Sequence, residues 1–304
     1  MRGIFFSLLF MLELHTRSPE RKERLTVLFI NLLLTTIMTM SYYSRYILLP
    51  LICIVLVACS DDENTAQSGP ISLEFDNVVS AANLQLNTDN TPYTNGKGED
   101  FKVTMLSYYV SNIKLKSSDG TIYQDPMASD GSAGYYLIHE SDAASQIVTL
   151  QNVPKGEYIE VTFTIGVDAN QLNQGAQTGA LDPVSGFFWS WNSGYIFMAL
   201  EGVSPVSTED DHVFQYHIGG YKDDGANQVD NIKTITLSFN GDTAPVRPEH
   251  EPEVHLLFDV NKFLNGPGEQ VTFSTNASRH SPKPCADLAN NISDAFVVDH
   301  VHAN

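Results

Sequence analysis

The chain is 304 residues long, 42% hydrophobic and 17% charged, with a formal charge of −19. This composition excludes a disordered chain and leaves room for one large or two small domains with a real core. The first 59 residues hold six Lys or Arg against three Asp or Glu, so the remainder, with 11 against 33, stands at −22. Such a surface repels nucleic acid and anionic lipid and suits an extracytoplasmic protein or one that attracts cations.

The N-terminus reads as an address label. "SRYILLPLICIVLVACS" sets Arg45 before an apolar run and ends in Leu56-Val57-Ala58-Cys59, the small-residue processing site of a secretory signal. It also resembles the bacterial lipobox, which implies that Cys59 is acylated and becomes the first mature residue. Residues 1–59 are therefore read as a leader, and residues 60–70, "SDDENTAQSGP", as a flexible tether. A further apolar stretch around Leu25 to Met38 exceeds what such a signal needs, so residues 1–39 read as an upstream extension, with the start at Met38 or Met40; the other reading is an extra membrane span, for which the run is short. The expected location is the outer membrane, facing the periplasm or the cell surface.

Residues 71–304 form the third segment, and there strand signals follow one another. "FKVTMLSYYVSNIKLKSSDGTIY" predicts a long strand turning at Ser118-Asp119-Gly120. "EYIEVTFTIGVD" alternates Ile159, Val161, Phe163 and Ile165 against Glu160, Thr162 and Thr164, and "NIKTITLSFNGD" repeats the pattern with Ile235, Leu237 and Phe239. "VFQYHIGGY" and "EVHLLFDVNKFL" add further strands. Without interleaved helices, this spacing argues an all-β, antiparallel sandwich or barrel of one domain. Cys53 falls in the leader and Cys59 is the lipidation candidate, which leaves Cys285 alone and no internal disulfide in the mature chain.

Hydrolase and nucleotide-enzyme signatures such as GxSxG, GxGxxG, the P-loop, CxxC and HExxH are absent from the sequence, and the expectation is a binding protein rather than an enzyme. Histidine carries the remaining signal. Apart from His15 in the leader and His139, the histidines all lie between His212 and His302. In "FVVDHVHAN" a regular strand places Phe296, Val298, His300 and His302 on one face, so two neutral imidazoles are offered to one metal such as Cu, Zn, Fe or Ni. His217 alternates with Phe214, Tyr216 and Ile218 ahead of a Gly-Gly pair that allows close backbone approach, and His255 shares a face with Leu257 and Asp259. His217, His300 and His302 are the leading ligands, with His255 in reserve. His250 lies in a Pro-rich loop, and His139, His212 and His280 have no motif around them.

The stretches "MLSYYVSNIKLKSSDG", "FTIGVDANQLNQGAQTGALDP", "FFWSWNSGYIFMALEG", "FQYHIGGY", "FDVNKFL" and "NNISDAFVVDHVH" occur in the order seen in the MbnP-like copper-binding family of methanobactin-associated periplasmic proteins. The chain resembles that family from about residue 71 to its end. The resemblance implies an exported β-sandwich, often a lipoprotein, that binds one copper ion for acquisition, storage or handover. It implies histidine ligands and a tryptophan oxidised to kynurenine by a MauG-like di-haem peroxidase, with a copper donor or acceptor as a further partner. Trp189 and Trp191 are the candidates for modification. This sequence departs from many bacterial members in lacking a cysteine pair after the His-Ile-Gly block.

Intact indole is a poor ligand because its nitrogen only donates a hydrogen bond, whereas kynurenine exposes an aryl amine and a ketone. Read as one strand, the block would put Trp189 and Trp191 on a face continued by Tyr195 and Phe197. A second reading is a calcium- or glycan-binding surface module, in which Asp168, Asn170 and Asp182 offer hard oxygens and the aromatic block stacks on sugar.

Overall fold

The structure, a computed structural model, describes residues 67–303 except 89–92, 173, 176, 191–193, 223–228 and 281–282. The leader, Cys59 and Trp191 lie outside the described residues. The principal strands are β1 (Ser68–Val79), β2 (Asp100–Ser117), β3 (Tyr135–His139), β4 (Ile147–Pro154), β5 (Gly156–Ile165), β6 (Phe188–Ser190) and β7 (Gly194–Val203). They continue with β8 (Val213–Gly219), β9 (Lys233–Ser238), β10 (Glu253–Asp259), β11 (Ser278–Arg279) and β12 (Phe296–His302). Among the described residues strand outweighs helix by 51% to 16%, as the all-β reading expected.

Two curled sheets make the sandwich. The smaller runs β12-β10-β1, with β4 on the far edge of β1. The larger runs β9-β5-β2-β7-β8-β11. Its long strand β2 pairs with β7 through Lys102 to Tyr108 and with β5 from Val110 onward. Most pairs are antiparallel, but β1 and β10 pair in parallel, as do β8 and β11. A parallel pair needs a crossover, and here the chain builds nearly all of the larger sheet between Val79 and Glu253 before returning to β1. No local periodicity could have shown that partnership.

Period-2 alternation decides which side chains fill the space between the sheets. Ile71, Leu73 and Phe75 of β1 and Val254, Leu256 and Phe258 of β10 have no exposed surface, while Glu74, Asp76, Glu253 and His255 between them are only partly covered. Phe75, Tyr108, Phe163, Phe258 and Phe296 interlock across the gap, mostly edge to face, with ring centres 4.9 to 6.4 Å apart. Each such ring contributes roughly 1.5–3 kcal/mol by leaving water, with about 0.5–1.5 kcal/mol more for a well-oriented pair.

A second cluster forms on the far face of the larger sheet. It contains Tyr109, Tyr195, Phe197 and Phe187, with Phe188 and Trp189 packed against it. Met198 and Leu200, on the other face of β7, belong to the main core. The aromatic block is therefore a β6–β7 hairpin and not one strand, and β7 is buried on both sides.

"EVHLLFDVNKFL" divides at Asp259. Its carboxylate accepts from the Asn261 and Ser80 amides, capping a short helix, Val260–Leu264, that ends β10. Cys285 is buried, with its Sγ 3.4 Å from the His217 carbonyl oxygen.

Candidate metal centre

Histidines gather in two places on the outside of the sandwich. The first is on β8. Phe214, Tyr216 and Ile218 point into the core with no exposure, so alternation turns His217 to the outer face, where its side chain is 16% exposed. Ala199 of β7 lies opposite His217, and Glu201, one turn of the pleat along, reaches across so that its Oε1 sits 2.6 Å from His217 Nε2. With Nε2 engaged, Nδ1 faces His280 Nδ1 at 3.0 Å. His280 in turn has its Nε2 2.9 Å from the Ser278 hydroxyl.

Both rings thus turn one nitrogen to a protein oxygen and the other toward a common point. A carboxylate or hydroxyl behind an imidazole is the usual device for fixing ring and tautomer in a metal site. Burial and the neighbouring His217 lower the pKa of His280, which favours the neutral, ligating form.

His280 is brought here by β11, which runs parallel to β8 with Gln215 opposite Ser278 and Tyr216 opposite Arg279. Arg279, 9% exposed, holds that strand in place through an ion pair with Glu269 and by lying over the Tyr216 ring. Trp189 stands next to His217, with ring centres 6.2 Å apart. Space for the indole comes from Gly219, where an added Cβ would come within 3.1 Å of Trp189 Cζ3 and 2.5 Å of the Tyr195 carbonyl oxygen.

The second place is the outer face of the smaller sheet. Phe296 and Val298 face the core, as the sequence suggests, but His300 and His302 do not continue their face. Leu256 pairs with Val298, whereas the next residue back, His255, pairs with His300, so Asp299 is an extra residue in β12. This β-bulge reverses the alternation. Val301 then packs on the core, and His300 and His302 swing outward beside His255. A regular strand would have kept both histidines on the face of Phe296 and Val298.

The three imidazoles are mutually close. His255 and His300 stack at 4.2 Å between ring centres, with His302 edge-on to each at 5.0 and 4.6 Å. His300 Nε2 and His302 Nε2 are 3.0 Å apart. Carboxylates surround them: Glu74 and Asp76 at 3.1 and 3.2 Å from His255 Nδ1, Glu253 at 2.8 Å from His255 Nε2, and Asp299 at 2.7 Å from His300 Nδ1. Burial alone would lower the pKa of His255, but the hydrogen bond to Asp76 and the charges of Glu74 and Glu253 raise it overall.

Of the expected ligands, His255, His300 and His302 meet on the smaller sheet, and His217 lies on the larger one with the main core between them. His280, which had no motif to announce it, is the neighbour of His217. His139 sits against the Ser107 hydroxyl and the Phe187 ring, and His212 binds the Ser207 carbonyl. Asp168 accepts from Asn112 and Tyr135, and Asp182 caps the turn at Val184, so both carboxylates of the calcium reading are engaged within the fold.

The sequence profile of the MbnP family matches residues 68–285. The structure of MbnP from Methylosinus trichosporium superposes with a TM-score of 0.51 at 14% identity, covering 73% of this chain and 87% of that one. No curated protein sequence gives a significant match.

Proposed function

The chain belongs to the MbnP family, and from that premise we propose that it is an exported copper-binding protein, tethered to the membrane through an acylated Cys59, that acquires, stores or hands over copper and is not itself an enzyme. The observation that carries this reading is the convergence of His217 Nδ1 and His280 Nδ1 at 3.0 Å beside Trp189. All three residues fall within the family-matched segment, whereas His300 and His302 follow it.

The donor set fits copper. Two neutral imidazoles are good ligands for it, Glu201 holds the His217 ring from behind, and Met105, opposite Glu201 on β2, adds a thioether to the same side of the sheet. The formal charge of −22 beyond Cys59 favours the approach of a cation. Copper is the cargo, and the chain supplies a preformed pair of ligands, His217 on β8 and His280 directly after β11.

Trp189 is the side chain we assign as the source of a third ligand. Cleavage of the indole C2–C3 bond inserts two oxygen atoms, delivered from hydrogen peroxide by a MauG-like di-haem peroxidase, and hydrolysis then releases the formyl group as formate. The kynurenine left behind offers an aryl amine and a ketone next to His217. Methanobactin-dependent copper handling is the setting the family suggests, with a copper donor or acceptor protein as partner.

Metal analysis and peptide mass of the protein from its native host test this reading. The expected result is copper in the purified protein and a kynurenine mass on the Trp189 peptide that is missing when the peroxidase is deleted. Copper-free protein with an intact indole would overturn it.

A further inference from the structure

We infer that the outer face of the β1–β10–β12 sheet is a second metal site, separate from the His217 pair, in which His255, His300 and His302 bind a divalent first-row transition ion. Their candidate ligand atoms lie within 4.8 Å of one another, and carboxylates hold two of the three rings through Nδ1. His255 turns Nδ1 to the carboxylates of Glu74 and Asp76, and His300 turns Nδ1 to Asp299. A carboxylate on Nδ1 leaves Nε2 as the ligating atom, the arrangement that supports histidine in metal sites. The Nε2 atoms of His300 and His302 already meet at 3.0 Å, and Glu253 Oε1, 2.8 Å from His255 Nε2, brings an oxygen to the same side.

Three imidazoles with one carboxylate form a four-donor set for Cu(II) or Zn(II). It contains no sulfur, which disfavours Cu(I), and the surrounding Glu74, Asp76, Glu253 and Asp299 call for a positive charge. The bulge at Asp299 is what builds the site: it supplies the carboxylate behind His300 and turns both terminal histidines outward. Binding here does not depend on Trp189 or on the copper reading of the His217 pair.

The test is titration of the intact, metal-free protein with Cu(II), and separately with Zn(II), followed by calorimetry and Cu(II) electron paramagnetic resonance. The His217→Asn/His280→Asn variant should still bind one equivalent of either ion, with coupling from three nitrogens in the copper spectrum. His300→Asn/His302→Asn should lose that equivalent, and His255→Asn should weaken it by more than the ~10 to 100-fold expected when a supporting residue is removed. Asp299→Asn, which spares every ligand, should weaken it within that range. Wild-type affinity in the His300→Asn/His302→Asn variant would overturn the site, as would coupling to fewer than three nitrogens in the His217→Asn/His280→Asn protein. A Cu(I) defect confined to the His217 variants bears on the first site alone.

Discussion

Gly219 lies under the ring of Trp189, so close that a methyl group on its Cα would stand 3.1 Å from the indole and 2.5 Å from the Tyr195 carbonyl oxygen. The glycine is there because β8 must pass both a neighbouring backbone and an aromatic ring, and it thereby fixes where Trp189 sits relative to His217.

Gly219→Ala should therefore destabilise the fold by about 1–3 kcal/mol, the usual cost of overpacking, and also move the indole away from His217. Denaturant unfolding reads the first effect, and the yield of oxidised Trp189 peptide reads the second. Unchanged values of both would mean that the β6–β7 hairpin is not seated against β8.

Arg279 and Glu269 offer a different test, because neither is a ligand. Their ion pair, with Arg279 almost fully covered, holds the strand that delivers His280. Removing one partner of a buried pair costs roughly 3–5 kcal/mol, so Arg279→Ala should lower the denaturation midpoint and weaken copper binding at the His217 pair. Binding at the three-histidine face should be unaffected. Equal losses at both faces would show general unfolding instead.

Glu99 ties the 272–275 turn to the start of β2. It accepts from the Phe273 and Ser274 amides, the Ser274 hydroxyl and Asn95. Burial alone would raise its pKa, but these donors hold the carboxyl below its ordinary value of 4.5. A depressed folded-state pKa gives stability that is present above the unfolded value and lost as pH falls through the folded one. Glu99→Gln should accordingly be less stable than wild type near neutrality, with the gap closing as pH drops below about 4.5. Urea midpoints across that range check it; a gap independent of pH would contradict the assignment.

Cys59→Ser should abolish acylation and release the exported protein from the membrane. Metabolic labelling with a fatty acid reads the outcome, and unchanged labelling would rule out the anchor.

Much of the strand framework was legible because buried alternation leaves a period of two in the sequence: His217 and His255 were turned outward by their apolar neighbours, as expected. What escaped was non-local or irregular. His280 joins His217 through a two-residue parallel strand, for which no pattern exists in the sequence. The face of His300 and His302 depended on a single inserted residue, Asp299, and an insertion of one reverses every side chain beyond it. The aromatic block read as one strand, whereas its two parts, Phe188–Ser190 and Gly194–Val203, pair antiparallel with each other. Each miss concerns pairing between distant segments or a break in register, which are fixed by tertiary packing.

Copper affinity of the His217 pair is the most direct test of the copper reading. Cu(I) competition titration should be run on wild type, His217→Asn, His280→Asn and the His300→Asn/His302→Asn variant, with circular dichroism to verify the fold of each. The expected result is a loss of more than about 100-fold in His217→Asn and His280→Asn, beyond what removal of a supporting residue causes, with wild-type Cu(I) affinity in the terminal variant. Wild-type affinity in both His217→Asn and His280→Asn would contradict a copper site beside Trp189.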